Sequence, residues 1–125
     1  MAENKNSKIY DLENRTAIFS DDIISFVRSL KRDIINTPLI SQLVRAATSI
    51  GANYCEANGA SSKKDFKNKI YICKKEARET QYWLERIIGA YPEVKDTIRV
   101  LLKEIKELIL IFSKIIRTIE SEGQF

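Results

Sequence analysis

Apolar residues recur along this chain at alternating steps of three and four, the spacing of one face of an α-helix. Phe19, Ile23, Phe26 and Leu30 form the first such stripe, which predicts a helix from between Asn14 and Thr16 to about Arg32. Residues 1–13, with Ile9, Tyr10 and Leu12, read as an irregular or extended lead-in. Thr37-Pro38 reads as an N-cap followed by proline at the first helical position, where its missing N–H costs nothing. The second helix should reach Ala57, with Asn58-Gly59 as a left-handed stop. Ser62 with Asp65 resembles a capping box and opens a third helix that runs to Ile88 and ends at Gly89. Its core face is Phe66, Ile70, Cys73, Ala77, Leu84 and Ile88. Pro92 restarts the chain, with Glu93 favourable to the helix dipole. In the fourth helix Val94, Ile98, Leu101, Ile105, Leu108, Phe112, Ile115 and Ile119 keep a strict four-three alternation up to Gly123, a coiled-coil-like seam. The connections are short. The pattern predicts one all-α domain over residues 1–125, an antiparallel up-down-up-down four-helix bundle.

The second helix carries too little charge for an outer helix of a lone bundle, which needs a wide polar face. Between Thr37 and Gly59 only Arg45 and Glu56 are charged. Gln42, Arg45, Ser49, Asn53 and Glu56 lie on one line, within about 80° at 100° per residue. Ala46, Ala47, Ser49, Gly51 and Ala52 are small enough to admit another backbone. Arg45 and Glu56 stand roughly 16 Å apart along a helix and cannot pair within it. If buried, each needs a partner elsewhere, and an interface between copies of the chain is one solution. Ile72 and Trp83 lie off the main stripe of the third helix, beside Asp65, Glu76 and Glu79, and point to the same interface. The plainer reading is a narrow solvated face and one exposed tryptophan.

The net charge is +4, and its location matters more than its size. Basic and acidic residues balance in 1–36, in 37–60 and in 91–125, where there are six of each. The surplus lies in 61–90, with eight basic and four acidic residues. Lys63, Lys67, Lys74 and Arg78 fall within about 60° on the third helix. Lys64 and Lys75 lie beside them, and Tyr71 and Tyr82 share the sector. A linear basic array with interleaved aromatics is the footprint of a surface that holds phosphates and can stack a base. The alternative is an ordinary solvated lysine face, diluted by Glu85. No motif for sequence-specific DNA reading is visible.

Other chemistry finds little support. There is no histidine, so a di-metal carboxylate site built on Glu-x-x-His pairs is excluded, and two cysteines cannot complete a structural zinc site. Gly59-Ala-Ser-Ser-Lys63 lacks the spacing of a phosphate-binding loop. Neither cysteine has a histidine to activate it, and both read as buried reduced thiols of a cytoplasmic protein. The polar start shows no secretory segment, and the longest apolar run, Leu108 to Phe112, is far short of a bilayer span. No catalytic residue, metal or cofactor is expected, and no membrane partner.

Several of these residues also form a recognisable pattern. It comprises Gln42-x-x-Arg45-x-x-Thr48-Ser49-Ile50-Gly51-Ala52-Asn53-Tyr54-x-Glu56-Ala57, then Ser62-Lys63-Lys64-Asp65-Phe66, Ile72-x-x-Lys75-Glu76-Ala77-x-Glu79-Thr80 and Tyr82-Trp83-Leu84. With Leu12 to Phe19, it resembles the bacterial four-helix-bundle proteins encoded in intervening sequences of large-subunit ribosomal RNA genes. The resemblance implies assembly into a homopentameric ring or barrel, with Arg45, Asn53 and Glu56 as candidates for polar contacts between subunits. It also implies kinship with the accessory variability protein of diversity-generating retroelements, a more basic pentamer that engages a reverse transcriptase and nucleic acid. The expected function is a non-enzymatic homo-oligomeric scaffold that binds nucleic acid, RNA before DNA, through the third helix. The alternative is a module that docks a partner protein.

Overall fold

The computed structural model describes residues 11–122, which form four α-helices and no strand. They are α1 (Leu12–Arg28), α2 (Asn36–Asn58), α3 (Lys63–Ala90) and α4 (Lys95–Glu122), with a 3-10 turn at Pro92–Val94 before α4. Each helix turns one apolar face inward. Phe19 and Ile23 of α1, Leu43, Ala47 and Ile50 of α2, Ile70, Leu84 and Ile87 of α3, and Ile98, Ile105, Leu108 and Phe112 of α4 are all at most 2% exposed. Burying each large aliphatic or aromatic side chain contributes about 1.5–3 kcal/mol. Side-chain bonds between neighbouring helices fix their direction. Asn58 near the end of α2 reaches Glu13 at the start of α1, and Tyr71 in the first half of α3 reaches Glu120 near the end of α4. Each helix therefore runs antiparallel to the next, as the short connections require. The α2–α3 and α3–α4 pairs pack most extensively, and among neighbouring helices α1 and α4 touch least.

Local chemistry moves several boundaries. Helix α1 begins at Leu12, not between Asn14 and Thr16, because Leu12 is fully buried and its carbonyl accepts the Thr16 hydroxyl at 2.6 Å. It ends at Arg28 rather than Arg32, where the Ser29 hydroxyl bonds back to the Phe26 carbonyl at 2.6 Å. The start of α2 is set by Asp33 and Asn36, not by Thr37. The Asp33 carboxylate accepts from the backbone N–H of Ile35 and Asn36, and the Asn36 side chain accepts from the Asp33 N–H. Ser62 caps α3 as expected, accepting from Asp65 N–H at 3.0 Å. Gly59 is not left-handed: its φ is −97°, and no described glycine has positive φ. Helix α3 does not stop at Gly89 but runs through it to Ala90. Residues 1–10 and Gly123, with the expected lead-in and helix stop, lie outside the described residues.

The seam of α4 also drifts. Ile116, not Ile115, takes its last buried place, while Val94 and Ile119 are half-buried. A four-three repeat averages 3.5 residues per turn, and a straight helix at 3.6 rotates away from it by about 20° per heptad. In α3 the buried stripe takes in Glu76, Thr80 and Ile87, leaving Phe66 and Ile88 half-buried. Cys73 is buried, and its thiol lies 3.5 Å from the Ile50 carbonyl. Burial pushes that thiol up to about 12. Cys55, expected inside, is exposed.

Two features hold α1 and the bundle end in place. At Gly51 a Cβ would stand 3.2 Å from Thr16 Oγ1, so α2 and α1 approach closely there. At the bundle end the Tyr91 hydroxyl donates to both oxygens of the Asp33 carboxylate, at 2.6 and 2.5 Å. That bond ties the α1–α2 connection to the α3–α4 corner.

Gly89 has open space where a side chain would be, so Gly89→Ala should stabilise the fold by about 0.5–1 kcal/mol, the helix-propensity gain. Gly51→Leu should cost about 1–3 kcal/mol, because α1 must move to admit it. Urea unfolding measures both.

The Asp33 carboxylate pushes the Tyr91 phenol up to about 12, while the Tyr91 bond, helped by the backbone N–H groups, holds the Asp33 carboxyl below its usual range. The tyrosine's contribution is complete below its ordinary value near 10 and is lost as pH rises through about 12. The aspartate's is complete above the ordinary carboxyl range and is lost as pH falls through it. Tyr91→Phe should therefore remove stability at neutral pH and flatten the loss above about pH 10, read from melting temperature against pH.

Candidate functional site

The outward face of α3 gathers the basic residues. Lys63, Lys64, Lys75, Arg78, Tyr71 and Tyr82 are exposed, and Lys67 and Lys74 are half-exposed. Tyr71, Lys74, Lys75, Arg78, Glu79 and Tyr82 line an open groove of about 490 Å³. Lys63 approaches Glu122 at 4.0 Å, while Lys64, Lys67, Lys74, Lys75 and Arg78 lie beyond ion-pairing reach of any described carboxylate. Their charge is thus available to a ligand. The two aromatics are held at their edges. The Tyr71 hydroxyl bonds to Glu120, and that bond pushes its phenol up. Tyr82 packs edge-on against Trp83 at 5.0 Å, and the Arg86 guanidinium lies over its ring at 4.8 Å.

The polar line of α2 faces a different neighbour, the adjoining flank of α3. Arg45 donates to Glu76 at 3.2 Å and to Glu79 at 2.6 Å, and also to Gln42 at 3.3 Å. Burial works against the Arg45 charge, but its bonds to Glu79 and Glu76 outweigh that and leave its pKa raised. Glu56 accepts from Lys69 at 2.8 Å. Ser49 and Asn53 bond back to the carbonyls of Arg45 and Ser49. Arg45 and Glu56 therefore find within one chain the partners that the sequence reading sought in a second. Ile72 and Trp83 are half-buried on this side, and Trp83 Nε1 is shielded from solvent with no acceptor.

The sequence reading missed a second basic surface. By number, the charges of residues 91–125 balance, but α4 sorts them by side. Arg15 of α1 forks onto Glu104 at 2.7 and 2.8 Å and reaches Glu107 at 3.0 Å, so those acids lie on the α1 side. Glu120 lies toward α3, bonded to Tyr71. Arg99, Lys103, Lys106, Lys114 and Arg117 are exposed within about 80° of one another on the outer face next to α3. None is within ion-pairing reach of a described carboxylate. A helical projection of α4 would have shown the cluster, though not which helix it adjoins. Among the described residues, no helix is long and apolar enough to cross a membrane.

A family of known sequences matches residues 8–114, which take in α1 to α3 and α4 as far as Lys114. The chain belongs to the 23S rRNA-intervening sequence protein family. A crystal structure from the S23 ribosomal protein family, of a Bacteroides thetaiotaomicron VPI-5482 protein of unknown function, is 31% identical with a TM-score of 0.74. The similarity covers 83% of this chain and 96% of that one. No curated protein matches the chain. In this member of the 23S rRNA-intervening sequence family, the α3 surface and the Arg45–Glu76–Glu79 cluster both fall inside the matched region.

Arg45→Ala should lower the stability of the bundle by about 1–2 kcal/mol. That lies between the worth of a surface ion pair and the cost of stranding a buried acceptor, since Glu76 is only 7% exposed. Adding Glu76→Gln to Arg45→Ala should recover part of the loss by removing the unpaired charge, as urea midpoints would show. Equal losses in the two variants would mean that Glu76 is not stranded.

Proposed function

We propose that this protein is a non-enzymatic, homo-oligomeric scaffold that binds nucleic acid, structured RNA in the first place, through the outer face of α3. The observation that carries this reading is the row Lys64, Lys67, Lys74, Lys75 and Arg78, without carboxylate partners among the described residues. Cations spared from internal pairing retain their attraction for a phosphate backbone, and several copies in one assembly would multiply the field. The family's name, which ties its members to intervening sequences of 23S rRNA, agrees with an RNA ligand.

Assembly, with five copies as the resemblance implies, is supported by apolar side chains that the single chain leaves uncovered: Val100 at 71% and Ile18 at 51% exposure. Of the small residues of α2 expected to admit a neighbour, only Ala52 is exposed: Ala46 and Ala47 are buried in the core and Gly51 faces α1. Because Arg45 and Glu56 are paired within the chain, the assembly does not rest on those two residues. The same exposed aliphatics favour a second reading, in which the assembly docks a partner protein and has no nucleic-acid ligand.

Titration of a labelled, folded RNA at 50 and 200 mM salt should show tight binding that weakens by about three orders of magnitude, as expected for six or more phosphate contacts. Replacing Lys67, Lys74 and Arg78 together with Glu should abolish binding and leave the melting temperature within a few degrees. Binding that ignores salt, or no binding at low salt, refutes the RNA reading. A pull-down that retains a protein after nuclease treatment supports the docking reading. Light scattering on a sizing column should give a mass near five chains, and a mass of one chain at micromolar concentration refutes assembly.

A further inference from the structure

The α4 cations change the shape of the candidate surface from a line to a platform. Arg99, Lys103, Lys106, Lys114 and Arg117 run beside the α3 row, and packed helices lie about 8–10 Å apart. Lys64 to Arg86 spans roughly 33 Å along α3, and Arg99 to Arg117 roughly 27 Å along α4. The result is a two-helix-wide cationic face about one duplex turn long. It has no projecting element to enter a deep groove, and Leu110 is exposed among its cations.

The aromatics on this face are poorly placed to stack bases. Tyr82 already has its ring covered by Arg86 and braced by Trp83, and Tyr71 is tethered through its hydroxyl to Glu120. Stacking a base on the covered face of Tyr82 would require displacing Arg86, and the Glu120 bond fixes the orientation of the Tyr71 ring. Binding of single strands draws much of its affinity from open aromatic faces, whereas binding of duplexes by shape draws it from backbone contacts. Resting on the nucleic-acid reading above, we infer that the ligand is double-helical, with α3 and α4 together gripping the phosphate backbones of its two strands. Recognition is of the paired backbone and not of base sequence. RNA and DNA duplexes share that chemistry.

The test compares a 20-base-pair RNA duplex, a DNA duplex of the same sequence and each single strand, by fluorescence anisotropy at 100 mM salt. The full-length protein is used in its native assembly. At least one duplex should bind about tenfold or more tighter than its strands, and the better duplex identifies the source. Replacing Lys103, Lys106 and Arg117 together with Gln should weaken duplex binding by about tenfold or more and reduce its salt slope by about three contacts. These residues are exposed and unpaired, so the melting temperature should hold, and circular dichroism checks this. Single strands that bind as tightly as the duplexes overturn the inference while leaving the nucleic-acid reading standing. So does an α4 variant that binds duplex unchanged. Binding of no nucleic acid at any salt overturns both.

Discussion

The apolar seam of α4 constrains the rest of the bundle. Ile98, Ile105, Leu108 and Phe112 are wholly enclosed. Helix α3, also 28 residues long, lies along it with Ile70, Leu84 and Ile87, and the shorter α2 and α1 close the core from the far side. Once that seam is inside, every charge on α3 and α4 must leave the core by one flank or the other. The flanks differ because their neighbours differ. Acids on the α1 flank of α4 meet Arg15, acids on the α2 flank of α3 meet Arg45, and Glu56 of α2 meets Lys69 of α3. What remains outside is mostly basic.

The polarity of the surface thus follows from internal pairing and not from a large excess of charge. A net charge of +4 would suggest little. The four contacts from Arg15 and Arg45 involve Glu104, Glu107, Glu76 and Glu79, acids drawn toward seams between helices. Tyr71 engages one more, Glu120. The same bonds that hold α1 to α4 and α2 to α3 therefore draw four carboxylates to the seams, while Glu120 and Glu85 stay on the shared outer face of α3 and α4 among its more numerous cations. Stability and electrostatics are coupled in this way.

Much of this architecture could be read from the residues. Four helices, their antiparallel order and most of the core follow from periodicity, because a helix must hide its apolar face whatever its neighbours. The Ser62 cap and the α3 basic row were legible for the same reason: each depends on one helix alone. What escaped depends on two elements at once. The role of Asp33 needs Asn36 and Tyr91, the latter far along the chain. The continuation of α3 through Gly89 is closed by the Tyr91 N–H bond to the Ile87 carbonyl, beyond a residue of weak helix propensity. The balanced tally of α4 hid its two-sidedness, because which flank meets α1 is a property of the assembled bundle. The pairing of Arg45 with Glu76 and Glu79 escaped for the same reason, since it joins two helices.

The unequal surroundings of the two thiols have a practical consequence. Cys73, enclosed beside the Ile50 carbonyl and held as the neutral thiol, is shut off from aqueous electrophiles as long as the fold persists. Cys55 stands on the solvent side of α2. The native polypeptide therefore offers a single position for attaching a fluorophore or spin label without any engineered change, on the helix whose surroundings would report whether copies come together.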